Sequence, residues 1–289
     1  MMIKKVLSFL LLSGSIHAQN SEIFAHRGFR GLHTESTLPG FKAALHYTHV
    51  LELDLMVSRD LNVVVTHDPT LHGKLYTYEG VEDKGVLANE KVYDKTFQEL
   101  ALYKMGTTAN KAFPQQKKIQ ETIPLLADVL KETQEYAVVN KLKQPHFFIE
   151  TKIKETTDDH NHPSPKVVVE LLVKELKRQV QAHQVIIQSF DPRTLQYIEK
   201  FYSEYRTCLL DKKKQPLSVY LNELDFKPDY FSPSFNEISE LTLIESKRYG
   251  IPLIGGNSNS KKQIDQMNAW GIHQVISDYP YEKLPQELK

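Results

Sequence analysis

Two hydrophobic periods alternate along this chain. Short apolar runs with β-branched and aromatic residues predict strands near 22–26, 50–56, 146–152, 184–190, 205–210, 229–232, 251–255 and 272–277. Between them, apolar residues recur at helical spacing and predict helices at 38–48, 123–136, 165–182, 192–203, 236–249 and 260–269. Asp191-Pro192 is a typical helix start, with Asp as the N-cap and Pro at the first helical position.

Strands that alternate with helices indicate parallel βα units. Eight such strands in a chain of 289 residues fit a closed (β/α)8 barrel of the TIM type, which typically has about 250 residues. The alternative is an open doubly wound sheet. Periodicity does not exclude that sheet, although the chain has no glycine-rich phosphate loop to support it.

Two segments between the second and third predicted strands depart from this pattern. The run 62–66 follows strand 50–56 after a short turn, so it must fold back antiparallel, since a parallel partner needs a longer crossover. Residues from about 71 to 120 are polar and weakly periodic, which predicts a small insertion over one face of the barrel.

The first eighteen residues have the layout of a secretory signal. Lys4 and Lys5 precede an apolar run at 6–12, and small residues follow up to Ala18. The run is shorter than the roughly 20 residues that a membrane span needs. The sequence therefore predicts a signal peptide at 1–18, a single domain at 19–289, and export to the periplasm or the medium.

Composition narrows the range of functions. The 36 basic and 36 acidic residues balance, which argues against nucleic acid as a partner. The single cysteine, Cys208, excludes an internal disulfide and a multi-cysteine zinc site. No later stretch is long and apolar enough to predict a membrane span. The composition permits an enzyme but does not identify one.

Acidic side chains share one face of two predicted strands. In the strand 50–56 the leucines alternate with Glu52 and Asp54, and in 146–152 Glu150 shares a face with Lys152. Leucines that face outward pack under the helices, so the acids face the barrel interior near the strand ends, where barrel active sites lie. Three converging carboxylates predict a site for Mg²⁺ or Ca²⁺. A structural ion pair between Glu150 and Lys152 is the alternative.

Two histidines belong to the same end of the barrel. His26 ends the first strand, and a turn centred between Arg59 and Asp60 would place His67 directly across from Glu52. That pairing depends on the register, because a slip of one residue reverses the faces.

Two cations complete the set. Arg27 is a bidentate partner for a phosphate, and Lys152 adds a second positive charge. Two histidines, a divalent cation and two basic groups point to phosphodiester cleavage by acid–base catalysis.

Several motifs together resemble the glycerophosphodiester phosphodiesterase family. They run in family order from residue 23 to 280, nearly the whole predicted mature chain, and comprise Ala25-His26-Arg27-Gly28, Glu35-Ser36-Thr37-Leu38-Pro39-Gly40-Phe41, Glu52-Leu53-Asp54, Val65-Thr66-His67-Asp68, Ile123-Pro124-Leu125-Leu126, Ile149-Glu150-Thr151-Lys152, Ile187-Gln188-Ser189-Phe190-Asp191 and Ile276-Ser277-Asp278-Tyr279-Pro280.

The resemblance implies a TIM-type barrel that hydrolyses glycerophosphodiesters to glycerol 3-phosphate and an alcohol with the help of a metal. Carried over by position, His26 and His67 are the acid–base pair, and Glu52, Asp54 and Glu150 are the metal ligands. Arg27 and Lys152 contact the phosphate, and Glu35 lies near the metal or the glycerol.

The sequence departs from the family at two places. Ser36 stands where the family usually has Asn, and Gly256-Asn257-Ser258-Asn259 replaces a Trp-Thr-Val-Asn stretch, so the aromatic wall over the substrate is missing. Trp270 is predicted on a helix in the outer layer, which leaves Phe190 or Tyr279 as replacements for the wall.

Two other functions fit these residues. A related barrel enzyme could cleave lysophospholipids or phosphoinositides with a similar pair of histidines. A non-catalytic exported protein could bind phosphodiesters, although the presence of both histidines counts against it.

Overall fold

The computed structural model describes residues 21–79, 90–107, 110–211 and 214–285. The predicted signal segment at 1–18 lies outside these residues. No helix in the described ranges has the length and apolar character needed to cross a membrane.

Eight parallel strands form a nearly closed barrel, as the sequence predicts. They are β1 (Glu22–Ala25), β2 (Val50–Val57), β7 (His146–Thr151), β8 (Val185–Ser189), β9 (Arg206–Leu210), β10 (Tyr230–Ser232), β11 (Ile254–Gly255) and β12 (Gln274–Ser277). Their spatial order is β10-β9-β8-β7-β2-β1-β12-β11, and a parallel bridge between Phe231 and Leu253 connects the two ends. The fold is therefore a TIM-type barrel.

Helices surround the barrel and follow its strands. They are α1 (Leu38–Ala44), α3 (Leu126–Val139), α4 (Pro165–Gln179), α5 (Pro192–Phe201), α6 (Leu217–Leu224), α7 (Glu240–Tyr249) and α8 (Lys261–Ala269). The Asp191 carboxylate caps α5 by accepting from the backbone N–H of Arg193 at 3.0 Å, as predicted. Helix α6 was not among the predicted helices, because its two turns contain too few residues for a clear hydrophobic period.

The two faces of the strands carry different residues. Leu51, Leu53 and Leu55 of β2 are buried under the helices, in contact with a large core that includes Leu130 and Leu172. Inside the barrel a separate apolar cluster fills one end: Phe24, Val50, Phe148, Ile186, Cys208, Ile254 and Ile276. The acids of β2 and β7 continue these inward rows toward the strand C-termini, because side chains alternate along a strand. The predicted outward leucines and inward acids are confirmed.

The antiparallel hairpin exists, but its register differs from the predicted one. Strand β3 (Val63–Val65) pairs with β2 through Leu55–Val65, Met56–Val64 and Val57–Val63, one residue away from the register that would set His67 across from Glu52. The loop has three residues between Ser58 and Asn62, and Leu61 takes the left-handed conformation at φ 61°. The extra loop residue produces the slip.

The insertion forms a small unit beside the barrel mouth. Strands β4 (Tyr76–Tyr78), β5 (Tyr103–Met105) and β6 (Glu121–Thr122) make an antiparallel sheet, accompanied by the one-turn helix α2 (Phe97–Leu100). Its apolar side chains pack against Met56 and Val64 of the hairpin. The backbone N–H of Lys117 donates to Leu32 O at 2.9 Å, so the insertion is attached to the loop that follows β1.

Candidate active site

Three carboxylates meet inside the barrel mouth. Glu52 and Asp54 come from β2, Glu150 comes from β7, and Asp54 is the direct register partner of Glu150. Each residue offers an oxygen within 4.8 Å of the others, and all three side chains are buried. The alternation of two neighbouring strands therefore brings together the acids that the sequence selects.

Two basic side chains surround these acids. Arg27 lies at φ 49° in the left-handed region, and its backbone N–H donates to Glu52 Oε2 at 2.9 Å while its Nε lies 3.2 Å from Asp54 Oδ2. Lys152 Nζ lies 2.7 Å from Glu150 Oε1 and 3.6 Å from Asp54 Oδ1. The predicted ion pair of Glu150 and Lys152 is present, but it belongs to the larger cluster.

The charges shift the pKa values of the acids in opposite directions. Burial, together with the neighbouring charge of Asp54, raises the pKa of Glu52 well above its ordinary value. Burial also raises the pKa of Glu150, against the pull of Lys152. For Asp54 burial is outweighed by the charges of Arg27 and Lys152, which hold its pKa well below the usual range.

The donor set fits a hard divalent cation. It consists of carboxylate oxygens, the ligands that Mg²⁺ and Ca²⁺ prefer. Asp54 Oδ2 is buried without a hydrogen-bond donor, since Arg27 Nε approaches it outside hydrogen-bond geometry. A bound cation would satisfy this oxygen and reverse the unfavourable rise in pKa at Glu52 and Glu150.

His26 is held by an aspartate at the opposite end of the chain. Its Nδ1 lies 2.5 Å from Asp278 Oδ1, and Asp278 also accepts from Arg30 Nε at 2.7 Å and from Asn259 Nδ2 at 2.6 Å. Burial lowers the pKa of the His26 imidazole, with a further contribution from the Arg27 charge against the opposing hydrogen bond of Asp278. Sequence reasoning gave no role to Asp278 or Asn259, although Asp278 lies within one of the quoted motifs.

His67 has an equivalent arrangement. Its Nδ1 lies 2.8 Å from Asp68 Oδ1, and the preceding residue, Thr66, donates its backbone N–H to Asp54 O at 3.0 Å. The His67 charge is near enough to lower the pKa of Asp54 and to oppose the rise at Glu150. His67 therefore faces the acidic cluster despite the changed register.

Glu35 also joins the site. Its Oε1 accepts from Arg27 Nη1 at 2.8 Å, and both side chains are buried. Glu35 thereby holds the guanidinium at Nη1, while Asp54 lies near Nε.

Comparison with known proteins identifies the relatives of this chain. Residues 26–282 match the model of the glycerophosphoryl diester phosphodiesterase family. The chain belongs to this family.

Named relatives and solved structures agree with this assignment. Glycerophosphodiester phosphodiesterases of Bacillus altitudinis and Bacillus subtilis (strain 168) are 26% and 25% identical, over 93% and 89% of this chain and 100% and 83% of theirs. Among structures, an Oleispira antarctica phosphodiesterase in complex with the product sn-glycerol-3-phosphate matches with a TM-score of 0.71 and 19% identity, over 90% of this chain and 94% of that one. A glycerophosphodiester phosphodiesterase from Parabacteroides distasonis matches with a TM-score of 0.67 and 19% identity, over 91% and 94%.

The two departures from the family pattern have different structural consequences. Ser36 takes φ 56°, a left-handed conformation that Asn tolerates better than Ser, and its buried hydroxyl has no hydrogen-bond partner. In the segment 256–259, Asn259 keeps a clear function, because its amide accepts from the backbone N–H of Asp278 and donates to its carboxylate.

The aromatic residues separate into exposed and packed groups. Phe190 is 37% exposed and lines a recess of about 400 Å³ with Pro69, Glu150, Lys152 and Ile153. Tyr279 is buried against Phe113, and Trp270 stacks on Phe235 in the outer layer. Of Phe190 and Tyr279, the two possible replacements for the missing aromatic wall, Phe190 is therefore the one that is solvent-exposed beside the acidic cluster.

Two neighbouring loop histidines, His160 and His162, differ in environment. His160 is exposed in the loop after β7. His162 is buried instead, and its Nε2 accepts the backbone N–H of Lys154 at 3.0 Å while its Nδ1 lies 3.0 Å from Pro163 O. His162 fixes the loop after β7 and is not a metal ligand candidate.

Proposed function

We propose that this protein hydrolyses glycerophosphodiesters to glycerol 3-phosphate and an alcohol, with a divalent cation, Mg²⁺ or Ca²⁺, held by Glu52, Asp54 and Glu150. Membership of the family supports the reaction. The observation that carries the site assignment is the buried group of three carboxylates beside two basic side chains at the strand ends.

Arg27 and Lys152 bind the phosphoryl oxygens. Their own contacts hold them in place, because Arg27 is tied to Glu35 and Glu52 and Lys152 to Glu150. Basic side chains that are already held in place stabilise negative charge on the phosphoryl oxygens without a cost of reorganisation during the reaction.

His26 and His67 transfer the protons. The carboxylates of Asp278 and Asp68 have pKa values well below the usual range, so they are hydrogen-bond acceptors and each histidine Nδ1 donates to one of them. Each Nε2 is then left for the reaction. One imidazole takes the proton of the nucleophile, which is water or the glycerol 2-hydroxyl, and the other donates a proton to the leaving oxygen.

A bound divalent cation would supply charge stabilisation at the phosphoryl group and orient the nucleophile. The buried Asp54 Oδ2 that lacks a donor supports its presence. Phe190 supplies the apolar wall against the carbon skeleton of the substrate, in place of the aromatic residue missing from segment 256–259.

A release assay tests the proposal. Glycerol 3-phosphate is measured from glycerophosphocholine and other head groups, after chelation with EDTA and after return of Mg²⁺ or Ca²⁺. Loss with EDTA and recovery with one cation are expected, together with loss of turnover in His67→Ala. Full activity after thorough chelation would reject the cation, and preference for long-chain lysophospholipids would favour the second enzyme activity.

We also propose that the protein is exported to the periplasm or the medium. The signal-like pattern at 1–18 supports this. Mass spectrometry of the protein recovered from cell fractions is expected to show an N-terminus near residue 19 outside the cytoplasm. An intact N-terminus in the cytoplasmic fraction would contradict export.

A further inference from the structure

A second histidine shares the aspartate that holds His67. His72 Nε2 lies 2.6 Å from Asp68 Oδ2, while His67 Nδ1 lies 2.8 Å from Oδ1 of the same carboxylate. One carboxylate thus bridges two imidazole rings, one on each oxygen. No motif named above contains His72.

His72 is also held by contacts other than the one with Asp68. Its ring packs edge-to-face on Tyr76, with centroids 6.2 Å apart and the planes at 68°. Tyr76 is fully buried, and its hydroxyl lies 2.5 Å from Thr66 Oγ1. The backbone N–H groups of Leu75 and Tyr76 both donate to His72 O at 3.1 Å. His72 is therefore anchored to the buried core of the insertion.

Asp68 needs such an anchor. About a third of its side chain is exposed, so water competes for its oxygens. A carboxylate with a single partner can rotate, whereas one tied at both oxygens keeps its plane and the direction of the hydrogen bond to His67. The hydrogen bond with Asp68 also raises the pKa of the His72 imidazole against its partial burial, which is a second sign of a strong contact between the two groups.

His26 provides an internal comparison. Its aspartate, Asp278, is held by Arg30 and Asn259, both of which are donors at every pH of interest. His72 occupies the corresponding place at Asp68. Both aspartates therefore have additional donors that can fix their orientation.

We propose that His72 is a positioning residue that orients His67 through Asp68. This inference rests on the proposed function of His67 in proton transfer. It predicts a loss in kcat with little change in KM, because His72 does not touch the substrate and acts only on the alignment of the imidazole.

The experiment compares His72→Ala, His72→Gln and wild type in the release of glycerol 3-phosphate from glycerophosphocholine. We expect His72→Ala to lower kcat by about tenfold, the value of one hydrogen bond to a charged group, with KM within about twofold. His72→Gln retains an N–H donor and should recover most of kcat. His46→Ala is the matched control, because His46 is exposed and its ring bonds to Tyr136 Oη at 2.8 Å, away from the site.

Two further measurements separate positioning from folding. The double variant His67→Ala/His72→Ala should be no slower than His67→Ala alone, since His72 acts through His67. In cation-free protein, the Nδ1 proton of His67 should exchange faster in His72→Ala by NMR, while the thermal midpoint of the Gln variant stays near that of wild type.

Unchanged kcat in His72→Ala, an additive loss in the double variant, or no recovery in His72→Gln would each overturn the inference. Wild-type protein that releases no glycerol 3-phosphate from any diester would instead overturn the proposed function. The two failures are therefore distinguishable.

Discussion

Replacement of Asp278 by asparagine tests the hydrogen-bond network around His26. The carboxylate accepts from His26 and Arg30 on Oδ1 and from Asn259 on Oδ2. Asparagine has the same shape but only one oxygen. In one orientation its amide N–H groups face Asn259 Nδ2, and in the other they face His26 and Arg30, so no rotamer satisfies all the donors.

The expected losses of stability and of kcat follow from this mismatch. A buried donor left without an acceptor costs about 2 kcal/mol, and loss of the carboxylate charge beside Arg30 acts in the same direction. For a domain of this size we expect the thermal midpoint to fall by about 5 °C. Because His26 loses the acceptor that orients Nδ1, kcat should fall by about 10²–10⁴-fold, the usual contribution of a general acid or base.

The assay combines thermal unfolding with the release of glycerol 3-phosphate. Asp265→Asn is the control, since Asp265 is exposed on α8 and accepts only the Tyr281 hydroxyl at 2.9 Å among the contacts described. The double variant Asp278→Asn/His26→Ala should be no slower than His26→Ala. If Asp278→Asn keeps kcat within about threefold of wild type, the assigned role of Asp278 is wrong.

Three more predictions follow from packing and charge. Gly106→Ala should lower the free energy of unfolding by about 2 kcal/mol or more, because Gly106 has φ 79° and a Cβ would lie 2.3 Å from Ile119 O. Urea titrations measure this, and a variant as stable as wild type would contradict it. Cys208 is fully buried and burial raises the pKa of its thiol, so a thiol reagent should label it only in denaturant; rapid labelling of native protein would show that the barrel interior opens. Hydrogen bonds from His67 and His72 lower the pKa of Asp68, and hydrogen bonds from His26 and Arg30 outweigh burial and lower the pKa of Asp278. Below about pH 4 the unfolded chain therefore binds more protons than the folded one. The free energy of unfolding should fall on acidification in this range. Urea midpoints at pH 4 and about pH 3 measure this, because the raised pKa values of Glu52 and Glu150 act in the opposite direction at higher pH, and Asp278→Asn should show the smaller loss.

The barrel and its three clustered carboxylates could be predicted because they depend on a local rule. Side chains alternate along a strand, so the leucines of β2 determine where Glu52 and Asp54 point without knowledge of any distant contact. The same rule applies to Glu150 on β7. All eight barrel strands were located from their short apolar runs.

The hairpin register was wrong because a single loop residue decides it. Leu61 adopts a left-handed conformation that glycine or asparagine usually signals, and leucine gives no such signal. His67 still lies near the acids, because β3 ends at Val65 and the alternation of the strand no longer determines where the His67 side chain points.

Contacts between distant parts of the chain could not be read from periodicity. Asn259 and Asp278 come from loops after β11 and β12, and only the closed barrel brings them beside His26. His162 is similar, since its burial depends on how the loop after β7 folds over Lys154. In each case a polar residue in a loop has the same local sequence signal whether it is exposed or part of a site.

The contact between His26 and Asp278 spans 252 positions, from the end of the first barrel strand to the residue after the last. Under the proposed role of His26, catalysis therefore requires the pairing of β1 with β12: a growing polypeptide that lacks β12 and Asp278 carries the three acids and both imidazoles, yet one imidazole is still without its carboxylate. Turnover is thus expected to depend on the joining of the first and last barrel strands, and a truncation after Ser277 should lower it while leaving all eight barrel strands in the sequence.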